Sequence, residues 1–305
     1  MDDASLELAF REHRGRIWAV CYRLTGDAAE SDDLVQDTFR RTLEQPPPDT
    51  SRSIGPWLTQ VATRLGIDAL RRRKARGYRG PWLPTPVEDE SHEPAELSTE
   101  ARYGQRESAT YAFLLALEVL SPEQRAVLVL RDVLDLSARE TAEIAGLSEA
   151  NVRVIHHRAR KAMEPYDAER CLVDDALLQR NAQALEALGA ALATGDLTQI
   201  AQLMCADAVS LNDANGEFLA AGSPVRGADK IAKFYAHVHA LRANDTDARF
   251  RAAQVNGLPA LIAEYPNATE RLAPKAVFRL DVRADGLVHT IHVIAATGKL
   301  GHVRW

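Results

Sequence analysis

Residues 136–163 read LSARETAEIAGLSEANVRVIHHRARKAM, and this stretch decides how the chain is parsed. Leu136, Thr141, Ala142, Ile144 and Ala145 fall on the inward side of a first helix, and Gly146 makes the turn. A second helix begins after Ser148, with Val152, Ile155 and Ala159 repeating at three and four as its buried stripe. Ser137 followed by Glu140 has the spacing of a capping box, and Ser148 before Asn151 is a serine N-cap. The outward positions of the second helix carry Asn151, Arg153, His157 and Arg158. An amide, guanidinium groups and an imidazole near a helix N-terminus can read base edges in a major groove. The pattern is a helix-turn-helix, with an ordinary helical hairpin bearing a solvated basic face as the plainer alternative.

A second basic segment lies upstream. Residues 57–79, WLTQVATRLGIDALRRRKARGYR, form a helical stripe through Trp57, Val61, Leu65 and Ala69 and end in Arg71, Arg72, Arg73, Lys74, Arg76 and Arg79. Favourable charge at a helix C-terminus and pairing with Asp68 account for one or two of these cations. Six in nine residues fit phosphate contact better. Two earlier helices are expected over about 5–24 and 28–43, the second opened by Asp27, Glu30, Asp32 and Asp33 and ended by Pro46-Pro47-Pro48.

The net charge of −6 excludes a generic polycation, but the charges are segregated. Residues 51–80 hold eight Arg/Lys against one acid, whereas residues 81–100 hold six acids and no Arg/Lys. The latter stretch is a proline-punctuated linker with one apolar anchor, Trp82-Leu83. Cys21, Cys171 and Cys205 are odd in number and widely spaced, which suits buried thiols in a reducing cytoplasm rather than disulfides or a metal site. No apolar run reaches the roughly 20 residues that span a bilayer, so neither a signal peptide nor a membrane anchor is expected.

After about Asp174 the pattern changes. One apolar helix over 177–193 is followed by short runs AVSLND, FLAAG, ARFRAAQV, ALIAEY, AVFRLDV and VHTIHVIAA, with a helix near 230–241. This predicts a curved antiparallel sheet packed on helices, an α+β domain.

Three segments together carry a resemblance. DDLVQDTFRR (32–41), PWLTQVATRLGIDALRRRKAR (56–76) and the 136–163 hairpin resemble, in order and spacing, the two conserved-type regions of bacterial extracytoplasmic-function (ECF) sigma factors. The resemblance covers about residues 5–165. It implies that Asp33, Leu34, Gln36, Asp37 and Phe39 face the β′ clamp of core RNA polymerase, with core packing the plain alternative for Leu34 and Phe39. It implies that Arg64, Arg71, Arg72, Arg73, Lys74 and Arg76 serve the −10 element, that Asn151, Arg153, His157 and Arg158 read the −35 element, and that the second region meets the β flap.

The C-terminal part resembles the SnoaL-like domain, a cone-shaped member of the nuclear-transport-factor-like fold appended to one subgroup of these factors. The supporting residues are Trp82-Leu83-Pro84-Thr85-Pro86, Asp213-Ala214-Asn215-Gly216-Glu217, Asn256-Gly257-Leu258-Pro259-Ala260 and Gly298-Lys299-Leu300. The second departs from the subgroup's Asp-Gly-Gly-Gly-Lys run, and the last keeps only part of the usual terminal motif.

The expected organisation is therefore two all-α sigma domains, the second a helix-turn-helix, followed by an α+β SnoaL-like domain. Their bounds are 1–79, a linker over 80–105, 106–168 and 174–305. Trp82, Leu83, Pro84, Asp213, Asn256, Gly257 and Lys299 are the candidate interdomain contacts. The expected partners are core RNA polymerase and promoter DNA, with a small-molecule ligand of the C-terminal domain possible and no cofactor, metal or membrane. Two other readings remain open from the residues. One is a ligand-sensing helix-turn-helix regulator that never touches polymerase. The other is a DNA-binding module fused to a cyclase or isomerase, in which Asp213 or Glu264 acts as general base. His289 and His292, three apart on a strand, and His237 and His239, two apart on a helix, diverge too far to serve as a couple.

Overall fold

The computed structural model describes residues 3–49, 53–76, 78–89, 102–104, 106–170, 173–243, 245 and 247–305. Residues 90–101 of the linker and Cys171 lie outside the described residues, as do the side chains of Lys74 and Arg76. The chain divides into two compact units, 1–77 with 92–170, and 78–91 with 171–305.

In the first unit, α1 (Asp3–Thr25), α2 (Ala28–Glu44) and α3 (Gly55–Arg76) pack as one bundle. Gly26, in the left-handed region at φ 67°, stops α1, and the Asp27 side chain caps α2 by accepting from the Glu30 amide. Leu24, Leu34, Val35, Leu58, Ala62, Leu65 and Ala69 are buried. The stripe of α3 is thus rotated from the expected one: Leu58 and Ala62 are buried, while Trp57 and Val61 are half-buried. Gly66 explains the close approach of α1, since a Cβ there would lie 2.7 Å from Leu24 Cδ1.

The second half of this unit starts with α4 (Tyr111–Ala116), followed by a 3-10 turn at Leu117–Val119. Helix α5 (Pro122–Leu128) loosens into a π-turn at Val129–Val133, and α6 (Ala138–Ala145) and α7 (Glu149–Glu169) form the hairpin. Both sequence-read caps are present: Ser137 and Glu140 make a reciprocal capping box, and Ser148 Oγ accepts from the Asn151 amide. Gly146 adopts φ 69° at the turn, and Val127, Ala142 and Val152 form the local core.

The second unit contains α8 (Asp175–Thr194), a short α9 (Leu197–Gln202), α10 (Ala228–Leu241) and one six-stranded sheet. The strands are β1 (Met204–Asp213), β2 (Val225–Arg226), β3 (Arg249–Val255), β4 (Leu258–Glu264), β5 (Lys275–Val282) and β6 (Val288–Ile294), in the order β2-β1-β6-β5-β4-β3. Helix residues Leu185, Leu188, Ile231 and Tyr235 and sheet residues Ala208, Leu280 and Ile291 share its core. Two expectations are corrected. The sheet is not wholly antiparallel, because β1 and β6 pair in parallel; the intervening β2, α10 and β3–β5 supply the long connection that parallel pairing requires. FLAAG is not a strand: it is squeezed between the Asn215-Gly216 turn and Pro224, and only its Leu219 amide bonds across, to Arg271 O.

Candidate functional site

A densely bonded polar site in the second unit holds the linker. Two type I′ turns create its docking points. At Asn215-Gly216 (φ 47° and 75°) the Glu217 amide donates to Ala214 O at 2.8 Å, and at Asn256-Gly257 (φ 54° and 76°) a two-residue loop joins the Val255↔Leu258 pair of β3 and β4. Asn and Gly are the residues that tolerate consecutive positive φ, so the sequence dictates both turns.

Residues 78–89 lie along these points as a strap. Asp213, fully buried at the end of β1, accepts from Tyr78 Oη at 2.5 Å, from the Leu83 amide at 2.8 Å and from Lys299 Nζ at 2.7 Å. Lys299 Nζ also donates to Leu83 O and sits 4.7 Å from the Tyr78 ring centroid and 4.6 Å from that of Trp82. Four residues on, Val87 exchanges bonds with Asn256: its amide donates to Asn256 Oδ1 at 3.0 Å and its carbonyl accepts from the Asn256 amide at 2.9 Å. The Gly257 amide donates to Asp89 Oδ1, and Glu88 bridges to Val255 as an added strand residue. Glu88 pairs with Arg251 at 2.7 Å; that hydrogen bond outweighs the opposing effect of burial and holds the carboxyl below its ordinary value. Leu83, Pro84 and Val87 are buried, whereas Trp82 is half-buried and uses its ring face for the ammonium.

All seven residues named from the sequence as interdomain contacts therefore meet along this strap, Pro84 within its buried stretch. Glu88, Arg251 and Tyr78 belong with them and were not foreseen. Arg251 sits in a strand whose alternation reads as plain sheet, so nothing local marks it. Asp213 already accepts three donors beneath the strap, and Glu264 faces Lys275 at 3.9 Å.

In the first unit the hairpin presents Asn151, Arg153, His157 and Arg158 to solvent, with Arg153 held 2.8 Å from Glu149. The adjoining His156 and Arg160 instead turn inward onto Asp132, at 2.9 Å and 2.5 Å. Burial pushes the Asp132 carboxyl up, but the bonds from His156 and Arg160 outweigh it and leave the group below its ordinary value. This clamp, which fixes α7 against the π-turn, was missed; a lone Asp in the run VLVLRDVL together with His156 and Arg160 four apart was the available signal.

The basic end of α3 is partly engaged within its own unit. Arg71 reaches Glu123 at 2.5 Å, Arg73 reaches both Glu118 oxygens at 2.8 Å, and Gln60 Nε2 donates to Glu143 O at 2.7 Å. Arg64 lies beside the hairpin turn, its Nη2 3.5 Å from where a Cβ on Gly146 would stand. Arg72 is exposed. On α2, Asp33 and Gln36 are exposed and Asp37 is partly exposed, paired with Arg40 at 2.8 Å. Leu34 and Phe39 are corrected to core residues: each is 4 % exposed, and the Phe39 ring packs edge-on against Phe10 at 4.9 Å. Their apolar side chains are worth more in the bundle than on an acidic helix face.

Cys21 and Cys205 are buried free thiols, and burial pushes Cys21 up to about 12, which leaves it protonated and inert. Among the described residues no group of three or more His, Cys, Asp or Glu could hold a metal, and no helix is long and apolar enough to cross a membrane.

Comparison with known proteins gives these sites their context. Residues 9–76 match Sigma-70 region 2 and residues 111–163 match Sigma-70 region 4. The chain is 36% identical over 231 residues to the ECF RNA polymerase sigma factor SigJ of Mycobacterium tuberculosis, covering 74% of this chain and 70% of that protein. It is 31% identical over 314 residues to SigG of the same organism, covering 93% of this chain and 80% of that protein. The crystal structure of M. tuberculosis SigJ superposes with a TM-score of 0.68 at 29% identity, over 96% of this chain and 98% of that one. The chain belongs to the ECF sigma factors, the exchangeable subunits that bind core RNA polymerase and direct it to start at chosen promoters. It is therefore not an enzyme, and neither the polymerase-free regulator nor the cyclase fusion describes it. The match to SigJ extends through the C-terminal α+β domain, which is SnoaL-like.

Proposed function

We propose that this chain is a cytoplasmic sigma subunit in which the C-terminal domain, by holding the linker between the two promoter-reading regions, sets initiation in place of a separate inhibitor. In this reading Asp33, Gln36 and Asp37 of α2 dock on the β′ clamp, and the second region meets the β flap. The exposed positions of α3, with Arg64 and the basic end, hold the −10 element; Asn151, Arg153, His157 and Arg158 read the −35 element. The domain bounds follow the same logic, with the linker assigned functionally to 80–105.

One observation carries the regulatory part: residues 78–89, which connect the first region to the second in sequence, are bonded along their length to Asp213, Asn256, Gly257, Arg251 and Lys299. The pairing of Arg71 and Arg73 with Glu123 and Glu118 adds that phosphates must displace carboxylates to reach these two arginines, while Arg72 stays open to them.

The test is capture of purified core polymerase by the full chain, followed by run-off transcription. Asp37→Arg reverses a partly exposed charge and should leave the fold intact while lowering polymerase affinity about tenfold through loss of charge complementarity. Unchanged affinity would overturn the docking assignment.

A further inference from the structure

Helix α7 buries Val152, Ala159 and Met163, the stripe that seats it in its own unit. At 3.6 residues per turn, the positions opposite that stripe are Ala150, Val154 and His157, all of them outside the buried core. The polar residues assigned to the −35 element stand to either side. Arg153 lies on one flank, drawn back to Glu149 at 2.8 Å, and Asn151 and Arg158 lie on the other. The crest of the helix, the line that enters a groove deepest, is therefore apolar over its first two turns. Val154 is 48% exposed there, and Ala150, one turn earlier, is too small to hold the helix away from what it meets.

A single exposed valine is ordinary on a protein surface. This one stands where folding gives no reason for it, because a β-branched residue is a weaker helix former than alanine, glutamate or lysine. Its neighbours three and four residues away are Ala150, Asn151, His157 and Arg158, and Arg153 precedes it. A rim of guanidinium, imidazole and amide groups complements a polyanion rather than an apolar protein surface. On a DNA duplex the phosphates edge the major groove and the bases floor it, and the apolar group on that floor is the thymine 5-methyl. The other groups presented there are hydrogen-bond donors and acceptors, which a valine would leave unpaired.

We infer that Val154 is a specificity-determining residue of the second sigma region, packing on the 5-methyl group of a thymine in the −35 element while Ala150 lets the helix approach closely. This rests on α7 reading the −35 element, and it adds a base identity that the flanking polar residues do not specify.

The test uses the full-length chain bound to core polymerase. Promoter DNA randomised over the −35 segment is selected for capture by that complex, and each thymine of the selected element is then replaced singly by deoxyuridine. The replacement removes the methyl group and leaves every hydrogen-bonding group in place. At one thymine it should weaken binding about threefold, the size expected for one buried methyl contact. Val154→Ala should weaken binding of the unmodified element by a similar factor and should bind thymine and deoxyuridine at that position alike. Selection repeated with Val154→Ala should lose the thymine there and keep the preferences at other positions.

An element with no thymine on either strand, or one in which deoxyuridine is without effect at every position, overturns the valine contact. So does a deoxyuridine loss that persists undiminished in Val154→Ala. Weakening by Val154→Ala that is equal at all positions, with every preference retained, makes the residue a support of the helix and overturns its role in specificity. Should selection return no base preference, and Asn151→Ala with Arg158→Ala leave binding unchanged, the −35 assignment of α7 fails and the valine contact with it. Should those two substitutions weaken binding at least tenfold while deoxyuridine has no effect, the −35 assignment stands and the valine contact alone falls.

Discussion

A carboxylate taken out of water as completely as Asp213 is costly unless donors surround it. Here they are an ammonium, a phenol and a backbone amide, two of them belonging to the strap. Lys299 is the costly member to lose. Its side chain is 7 % exposed and its charge serves Asp213, Leu83 O and two aromatic faces at once. Lys299→Met should destabilise the SnoaL-like unit by about 3–5 kcal/mol, since it strands a buried charge, whereas Asp213→Asn with Lys299→Met should recover part of that loss. Hydrogen exchange of β1 and β6 in the full chain measures both, and equal losses in the single and double variants would mean that the pair is not coupled. The residue types were legible because Asp, Asn-Gly and Lys stood in recognisable motifs. The roles of Tyr78, Glu88 and Arg251 were not, because each acquires its partner only through contacts more than 130 residues away in sequence.

At the scale of the element, the hairpin was the most readable part of the chain. Its caps, its glycine turn and its buried stripe are all local, and local interactions are what a sequence displays. What could not be read was how α7 is fixed, because the Asp132 that receives His156 and Arg160 lies on a different helix end, in a π-turn that periodicity does not announce. The same distinction explains Leu34 and Phe39: the resemblance gave them a motif's role with core packing as the alternative, and their helix turns them into the bundle. The clamp gives the second sigma region a pH dependence of definite sign. Because the folded-state value of Asp132 is depressed, its contribution is fully present above the unfolded aspartate value of about 3.9 and is lost as pH falls through the lower folded value. Asp132→Asn should therefore cost about 1–3 kcal/mol at neutral pH, where a charge-assisted pair of bonds is replaced by weaker ones, and should flatten the loss of stability on acidification below pH 4. Urea unfolding followed at several pH values distinguishes this from a simple packing defect, which would lower stability by the same amount at every pH.

For the whole molecule, the order of domains was readable because each has its own period, 3.6 in the sigma regions and 2 in the sheet, whereas only part of the linker's attachment was. Its acids and prolines read as a linker with Trp82, Leu83 and Pro84 as its contacts to the C-terminal domain, but the whole of residues 78–89 joins that unit, with Leu83, Pro84 and Val87 buried in it. A tether reaches at most about 3.5 Å per residue, so every residue pinned to the SnoaL-like domain subtracts from the span available between the two sigma regions. Releasing the strap should change how readily both elements are engaged at once. Deleting residues 174–305 releases it completely but uncovers apolar residues that could associate. Trp82→Ala in the full chain loosens it by removing one ring from Lys299 while leaving the domain in place. If the strap is the controlling contact, both changes should move run-off transcription in the same direction at matched, saturating core polymerase, the substitution by the smaller amount. Its effect should shrink as salt rises, because the ammonium–ring attraction is electrostatic in part. Identical output from full-length, truncated and Trp82→Ala proteins would mean that pinning the linker does not limit initiation, and opposite shifts would mean that the domain acts through some contact other than the strap.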